Sequence, residues 1–336
     1  MAQPGESSFF FLFVFPTSLL PFWCPSKNVI RKDPMETNYN QIDNLRNTII
    51  DEIFYALGLT RTGWARRVFG RIFHRPATRF ATLAANFDNT VAELGFCRAT
   101  QKFIPQFIDG FQVTGQENIP AKGPLLITTN HPGTFDGFII AANLPREDFK
   151  VIISGVAFVQ SFPATSKHMI YTSYNTQERI KTIRSAVRYL QDGGALMIMP
   201  RGNVDPDPAF MPGAHEALEL WSPSLALFLK KVPSTSLQVT IVSGVLDPRF
   251  LRNPIVNIRQ GAVERQKLAE FIQIITQLFS SRRVEVNPAV SFAPVLTPAM
   301  LQSTGSDHEM MRLIKTHAHQ TLDDHISKFS LPKYPY

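Results

Sequence analysis

Residues 124–136 read PLLITTNHPGTFD and predict a buried strand, a tight turn and the start of a helix. The apolar run at 124–129 is typical of a strand that is covered on both faces of a parallel sheet. A Pro-Gly pair then breaks the pattern, and Asp136 falls in the first turn of the following helix. In open α/β sheets, residues at the end of such a strand face a cleft. The stretch therefore predicts that His131 lies at a cleft, five residues before a carboxylate.

Outward from this stretch, strands alternate with helices along most of the chain. Further strands are predicted at 149–154, 195–199, 237–245 and 290–295. Helices are predicted at 176–191, 214–221, 266–279 and 310–329. This alternation predicts an α/β fold with a mixed, largely parallel sheet flanked by helices and preceded by a helical N-terminal region.

The N-terminal region contains a basic amphipathic segment. Between Arg61 and Phe80 the chain has six arginines and no acidic residue. On a helical wheel the apolar half contains Trp64, Ala65, Val68, Phe69, Ile72 and Phe73, and the basic half contains Arg66, Arg67, Arg71, His74 and Arg75. Pro76 is expected to end or kink this helix. Such a helix is a candidate for docking on a membrane surface, and the alternative is an amphipathic helix packed on its own domain.

The composition favours an acidic partner. The net charge is +7 and the pI about 9.5, although charged residues make up only 18% and phenylalanines number 27. This balance indicates an apolar, basic surface that suits an anionic membrane or nucleic acid. No nucleic-acid-binding motif accompanies the arginines, which argues against nucleic acid. Cys24 and Cys97 match no metal or redox spacing, so a reducing, cytosol-facing setting is predicted.

The pair His131 and Asp136 suggests proton transfer. A carboxylate beside an imidazole holds one ring nitrogen as a donor, and the other nitrogen is then able to accept a proton. No serine or cysteine nucleophile accompanies the pair in this stretch. We therefore expect the substrate to supply the nucleophile, for example a hydroxyl group, in a group-transfer reaction.

The motifs around this pair resemble those of the lysophospholipid and glycerolphosphate acyltransferase superfamily. The matching segments are residues 113–120 before the first strand, the strand and turn at 124–136, Gly193-Gly194 with 198–203, and 210–214 before a helix. Residues 239–244 match a later strand of the family more loosely. The similarity extends over roughly residues 111–296. The resemblance implies that His131 is the general base, that Asp136 orients it, and that a hydroxyl attacks the thioester of acyl-CoA or acyl-carrier protein. It also implies that no metal or bound cofactor is needed.

Three positions in two motifs depart from the family pattern. Arg201 and Asn203 stand where the family has glutamate and threonine, and Tyr174 stands where it has an arginine that contacts phosphate. We expect Arg201 to take over recognition of an anionic head group, with help from Arg179 and Arg184. The alternative is that Arg201 is a surface residue in a divergent or inactive relative. The candidate substrate-binding residues are thus Tyr174, Arg179, Arg201, Gly202 and Asn203.

Four segments are predicted on this basis. Residues 1–39 form an apolar leader, for which an anchor, a disordered segment and a start-site artefact all remain open. Residues 40–110 form the basic docking region, 111–300 the acyltransferase domain, and 301–336 a C-terminal helix. The expected function is acyl transfer to a lysophospholipid or related glycerolipid at the cytoplasmic face of a membrane. The alternative is a catalytically silent relative that binds lipid or a partner.

Overall fold

The computed structural model describes residues 42–51, 64–154, 157–173, 175–280 and 285–332. Within them, seven strands form one sheet with helices packed on both faces. The predicted leader at 1–39 and Tyr174 lie outside the described residues.

The bounds of the elements agree closely with the predicted alternation. The strands are β1 Gln112–Thr114, β2 Leu125–Thr129, β3 Phe149–Ser154, β4 Met169–Thr172, β5 Ala195–Ile198, β6 Ser236–Ser243 and β7 Ala289–Phe292. The helices are α1 at 42–51, α2 Trp64–Leu94, α3 Phe96–Phe103, α4 Asp136–Ala142, α5 Ala157–Gln160, α6 Thr176–Gln191, α7 Ala214–Glu219, α8 Ser224–Lys231, α9 Pro248–Leu251, α10 Ala262–Ser280, α11 Pro298–Gln302 and α12 Asp307–Lys328. Short 3₁₀ helices lie at Ile104–Gln106, Gln116–Asn118, Thr165–His168 and Pro254–Ile258.

The sheet is mixed and largely parallel, which confirms the predicted fold class. Its strand order is β1-β7-β6-β2-β5-β3-β4, and β6 and β7 are the antiparallel neighbours. The strands β1 and β4, for which the alternation made no prediction, have only three and four residues. Both lie at the edges of the sheet, where short strands carry little periodic signal.

The central strand β2 is buried on both faces. Leu125 and Ile127 pack into the core beneath α2, α3 and α4, and Leu126 packs into the core beneath α6, α8 and α12. This double burial explains why the strand is a continuous apolar run rather than an alternating one. It also places the end of β2 in the middle of the sheet.

The sequence predicted that Pro76 would either end or kink the helix that contains it. Helix α2 does not end at Pro76 but continues to Leu94. A proline inside a helix removes one backbone hydrogen bond and costs about 3 kcal/mol. Beyond it, the helix buries Phe80, Phe87 and Val91 in the core. Each such side chain contributes about 1.5–3 kcal/mol on burial, so the packing outweighs the proline.

Candidate active site

The turn after β2 is attached to the neighbouring strand by an asparagine. The side chain of Asn130 donates to the carbonyl of Val242 and accepts from the N–H of Val242, both at 2.8 Å. The backbone pairing of β2 with β6 ends at Thr129, and these two side-chain bonds continue the attachment to β6 beyond that point. The turn that carries His131 is therefore held rigidly at the carboxyl end of the sheet.

His131 and Asp136 meet directly across this turn. The imidazole Nδ1 lies 2.7 Å from Oδ2 of Asp136, and both side chains are buried, with 7% and 1% exposed. The same carboxylate accepts hydrogen bonds from the N–H groups of Gly133 and Gly137. With Nδ1 bound to the carboxylate, Nε2 is the basic atom of the ring.

The surrounding charges favour the protonated form of the histidine. Burial alone would lower the pKa of His131, but Asp136, through its charge and hydrogen bond, together with Asp205 and Glu270, raises this pKa above the usual value. The site can therefore stabilise an imidazolium that forms during a reaction.

Asp205 fixes the backbone of the histidine. Its Oδ2 accepts from the N–H of His131 at 2.8 Å, and its own N–H donates to the carbonyl of His131 at 2.7 Å. Burial raises the pKa of Asp205 to about 6, although the Arg201 guanidinium and His131 oppose the shift. Arg201 binds this carboxylate, with Nη1 at 3.1 Å from Oδ1.

Glu270 of α10 holds the next part of the turn. Its Oε1 accepts from both the N–H and the hydroxyl of Thr134, whereas its buried Oε2 has no hydrogen-bond partner. Burial raises the pKa of Glu270 to about 8. A Cβ at Gly133 would lie 2.7 Å from Val245 and 2.8 Å from Glu270, so a larger residue here would displace one of these two buried side chains.

The polar residues of α10 form a buried stripe that attaches several loops. Gln266 donates to the carbonyl groups of Pro132 and Asp205, and Gln277 donates to the carbonyl of Phe107. The stripe consists of Gln266, Glu270, Gln273 and Gln277, all less than 9% exposed. Sequence reasoning missed it, although polar residues spaced four, three and four apart on one helix face are a detectable signal.

Two buried aspartates were missed as well. Asp205 binds His131, and Asp207 accepts from the N–H groups of Gly244 and Val245 at 2.9 and 3.1 Å. Burial raises the pKa of Asp207 to about 6. The sequence offered one signal for them, the segment Val-Asp-Pro-Asp-Pro at 204–208. It directly follows the motif at 198–203, and each of its two aspartates is followed by a proline.

A cavity of about 240 Å³ opens beside the histidine. The strands β3 and β5 are paired only from Phe149 to Val151, and beyond that point they separate. His131, Thr134 and Asp136 line the cavity at one end. The remaining wall is largely apolar and includes Phe96, Phe138, Phe149, Val151, Met169 and Met197. Such a space suits an unbranched apolar chain whose polar end lies at the histidine.

The structure separates the predicted substrate-binding residues. Arg179, Gly202 and Asn203 line this cavity. Arg201 does not line it, because its Nη1 is held by the carbonyl of Val204 at 2.5 Å and by Asp205. Arg184 lies at a second cavity, beside β4.

Two further observations concern metals and membranes. Among the described residues, no group of three or more histidine, cysteine, aspartate or glutamate side chains could hold a metal ion. In the same part of the chain, no helix is both long and apolar enough to cross a membrane.

This chain is similar to known proteins in part of its sequence and in its fold. Residues 110–242 match the protein-family model described as Acyltransferase. The chain is also similar to the crystal structure of the 1-acyl-sn-glycerophosphate (LPA) acyltransferase, PlsC, from Thermotoga maritima, with a TM-score of 0.42 and 13% identity, over 87% of this chain and 99% of that one. The chain has no significant match among curated proteins. The family match confirms the resemblance noted in the sequence.

Proposed function

We propose that this chain, an acyltransferase of the lysophospholipid and glycerolphosphate acyltransferase superfamily, moves a fatty acyl group from a thioester donor to a hydroxyl of a lysophospholipid or related glycerolipid. The observation that carries the proposal is the buried His131–Asp136 pair at one end of an apolar cavity. The acyl chain would occupy the cavity, so that its thioester carbonyl lies at the imidazole.

The reaction follows from this arrangement. Nε2 of His131 accepts the proton of the acceptor hydroxyl as the oxygen attacks the thioester carbonyl and a C–O bond forms. The C–S bond of the tetrahedral intermediate then breaks, and the imidazolium returns the proton to the leaving thiolate. Asp136 stays ionised and stabilises the imidazolium, as the carboxylate does in hydrolase triads. The step needs no metal and no bound cofactor.

Arg179 is proposed to bind the anionic head group of the acceptor. It begins the second turn of α6 and lines the cavity next to Gly202 and Asn203. Arg201, the first candidate from the sequence, instead pairs with Asp205, and Asp205 binds the backbone N–H of His131. An arginine suits this role because its guanidinium binds phosphate through two parallel hydrogen bonds.

Docking on the cytoplasmic face of a membrane is proposed through the start of α2. Val68 and Ile72 are 47% and 49% exposed, and Phe73 contacts the half-exposed Phe279 of α10 with ring centroids 5.9 Å apart. Arg71 flanks this apolar patch and is also exposed. The exposure of Val68 and Ile72 supports membrane docking by this part of α2, while Phe73 packs on α10 of the same domain.

An acyl-CoA thiol-release assay tests the proposed function. Wild-type protein with lysophospholipids of different head groups should release free CoA thiol. The His131→Ala variant should lose about 10²–10⁴-fold in kcat, whereas His308→Ala, an exposed histidine of α12, should match the wild type. No release with any acceptor would favour the alternative, a silent relative that binds lipid or a partner.

A further inference from the structure

The 3₁₀ helix Pro254–Ile258 presents two isoleucines to solvent. Ile255 and Ile258 are 55% and 72% exposed, and residues three apart in a 3₁₀ helix lie on the same side of it. Val256, between them in the sequence, is buried in a small core that includes Leu268 of α10. Because this valine holds the 3₁₀ helix in place, the fold itself keeps both isoleucines at the surface.

Arginines flank these two isoleucines. Arg252 precedes the 3₁₀ helix, Arg259 follows it, and both are exposed. Arg265, near the start of α10, donates through Nε to the carbonyl of Arg259 at 3.2 Å. From Arg252 to Val263 the chain contains no acidic residue. An exposed apolar turn among cations matches the interface of an anionic bilayer.

Helix α10 carries polar side chains on its inner face and apolar side chains on its outer face. Its buried polar stripe contacts the turn that carries His131 and neighbouring loops. Away from the stripe, Ile272 and Ile275 are partly exposed, and Phe279 is half-exposed. A helix whose outer face meets water normally shows the reverse arrangement. The distribution therefore favours an apolar environment on the outer side of α10.

The outer face of α10 connects the 3₁₀ helix with the docking patch proposed on α2. Ile272, Ile275 and Phe279 follow Leu268 at intervals of four, three and four, which places them along one side of the helix. The Phe279 ring lies 5.9 Å from the ring of Phe73 in α2. Apolar side chains thus extend from the 3₁₀ helix to α2 along a helix of 19 residues, which is about 28 Å long.

We propose that the 3₁₀ helix Pro254–Ile258 and the outer face of α10 form a second membrane-contacting surface, with Ile255 and Ile258 inserted into an anionic bilayer. The inference deepens the proposed function and rests on it for the lipid nature of the partner. It extends membrane contact from the N-terminal region to a segment in the second half of the chain. A second copy of this chain on the same surface is an outcome of the test.

This surface belongs to the helix that holds the turn of His131. Gln266 donates to the carbonyl of Pro132, and Glu270 accepts from the hydroxyl of Thr134. The inner face of α10 thus contacts this turn, while its outer face would meet the bilayer. Docking through α10 places the turn one helix diameter, about 10–12 Å, from the lipid surface.

Co-sedimentation with vesicles of phosphatidylcholine and phosphatidylglycerol tests the surface. We expect Ile255→Glu/Ile258→Glu to lower the partition coefficient by at least about tenfold. The matched control is Leu220→Glu/Met300→Glu, which adds the same charge at two exposed apolar residues outside this surface. Circular dichroism checks that both variants fold. A partition coefficient equal to that of the wild type, or equal losses in the two variants, would overturn the proposal.

A single arginine provides a second variant that leaves the apolar side chains intact. Arg252→Gln should lower binding to the same vesicles by about fivefold, whereas Arg312→Gln, an exposed arginine of α12, should not. Unchanged binding of Arg252→Gln would contradict an anionic bilayer as the partner. Sedimentation velocity without vesicles examines the other occupant. A wild-type dimer that Ile255→Glu/Ile258→Glu converts to a monomer would assign the surface to a second copy and overturn the proposal.

Kinetics with two acceptors separate this proposal from the proposed function. Ile255→Glu/Ile258→Glu should raise the KM for a long-chain lysophospholipid presented in vesicles, but not for a short-chain lysophospholipid that is soluble in water. An equal rise for both acceptors would overturn the docking role, because it would show that the substitutions act on the turn of His131 through α10. If neither acceptor reacts in the wild type while vesicle binding still depends on the two isoleucines, acyl transfer fails and the membrane surface stands.

Discussion

Asp205 binds the backbone of His131 at two points, through a side-chain oxygen 2.8 Å from its N–H and through a backbone N–H 2.7 Å from its carbonyl. The two residues are 74 positions apart in the chain. Arg201 in turn pairs with this buried carboxylate. The position of the histidine therefore depends on an ion pair that does not itself contact the cavity.

Substitution of Arg201 should reduce kcat rather than acceptor affinity. Arg201→Ala leaves the carboxylate of Asp205 buried without its cation, which typically costs about 3 kcal/mol when one partner of a buried pair is lost. The bond to His131 should loosen, so kcat falls while the KM for the acceptor stays unchanged. Steady-state kinetics with varied acceptor measure both constants.

Arg179→Ala is the matched comparison. This side chain lines the cavity, so its loss should raise the acceptor KM by about tenfold and leave kcat less affected. If Arg201→Ala raised the acceptor KM and Arg179→Ala did not, the head-group role would return to Arg201.

Asp136→Asn should impair catalysis without unfolding the protein. The amide can still occupy the same space, but it can donate to Nδ1 and so stabilise the wrong tautomer of His131. In a serine-protease triad the equivalent change lowers kcat by about 10⁴, and we expect about 10³–10⁴ here. Single-turnover acyl transfer measures the effect, and far-UV circular dichroism checks the fold. A loss below about tenfold would contradict the role of the pair.

Glu270 makes the stability of the protein depend on pH. Its pKa is raised from 4.5 to about 8, so the folded state binds this proton more tightly than the unfolded state does. The associated stability is fully present below about pH 4.5 and is lost as the pH rises through about 8. Glu270→Gln should remove this dependence, which is on the order of 3 kcal/mol.

Urea unfolding at about pH 5 and about pH 8 measures the difference. The wild type should lose more stability over this interval than Glu270→Gln does. Asp205 and Asp207, whose pKa values are raised to about 6, contribute in the same direction in both proteins and cancel in the comparison. Identical slopes in the two proteins would show that Glu270 does not titrate in this range.

Membrane docking should depend on the apolar patch of α2. Ile72→Glu places a charge in the proposed contact and should reduce binding to anionic vesicles by about tenfold, since burial of such a side chain contributes about 1.5–3 kcal/mol. Leu220→Glu is the control, because Leu220 is also exposed but follows α7, which packs against α12. Co-sedimentation with vesicles measures both. Equal loss in the two variants would exclude a specific docking patch.

Much of the fold could be predicted because its signals are local. The apolar run of β2 and the periodicity of α6 and α12 reflect which faces are buried, and this is written in the spacing of residues. The helix does not end at Pro76, because the core that α2 joins further along outweighs the cost of the proline. The edge strands β1 and β4 were missed because segments of three and four residues are too short to show a period, and β1 also pairs with a strand far along the chain.

The sequence by itself determined the α/β fold and placed His131 and Asp136 on one turn, because five residues around a strand end can meet without help from the rest of the chain. Only the tertiary structure decided that Asp205 and Glu270 hold this turn, and that the cations of α6 face a second cavity beside β4. The physical reason is that these contacts join segments far apart in the chain. They arise from strand register and helix packing, which no local pattern encodes.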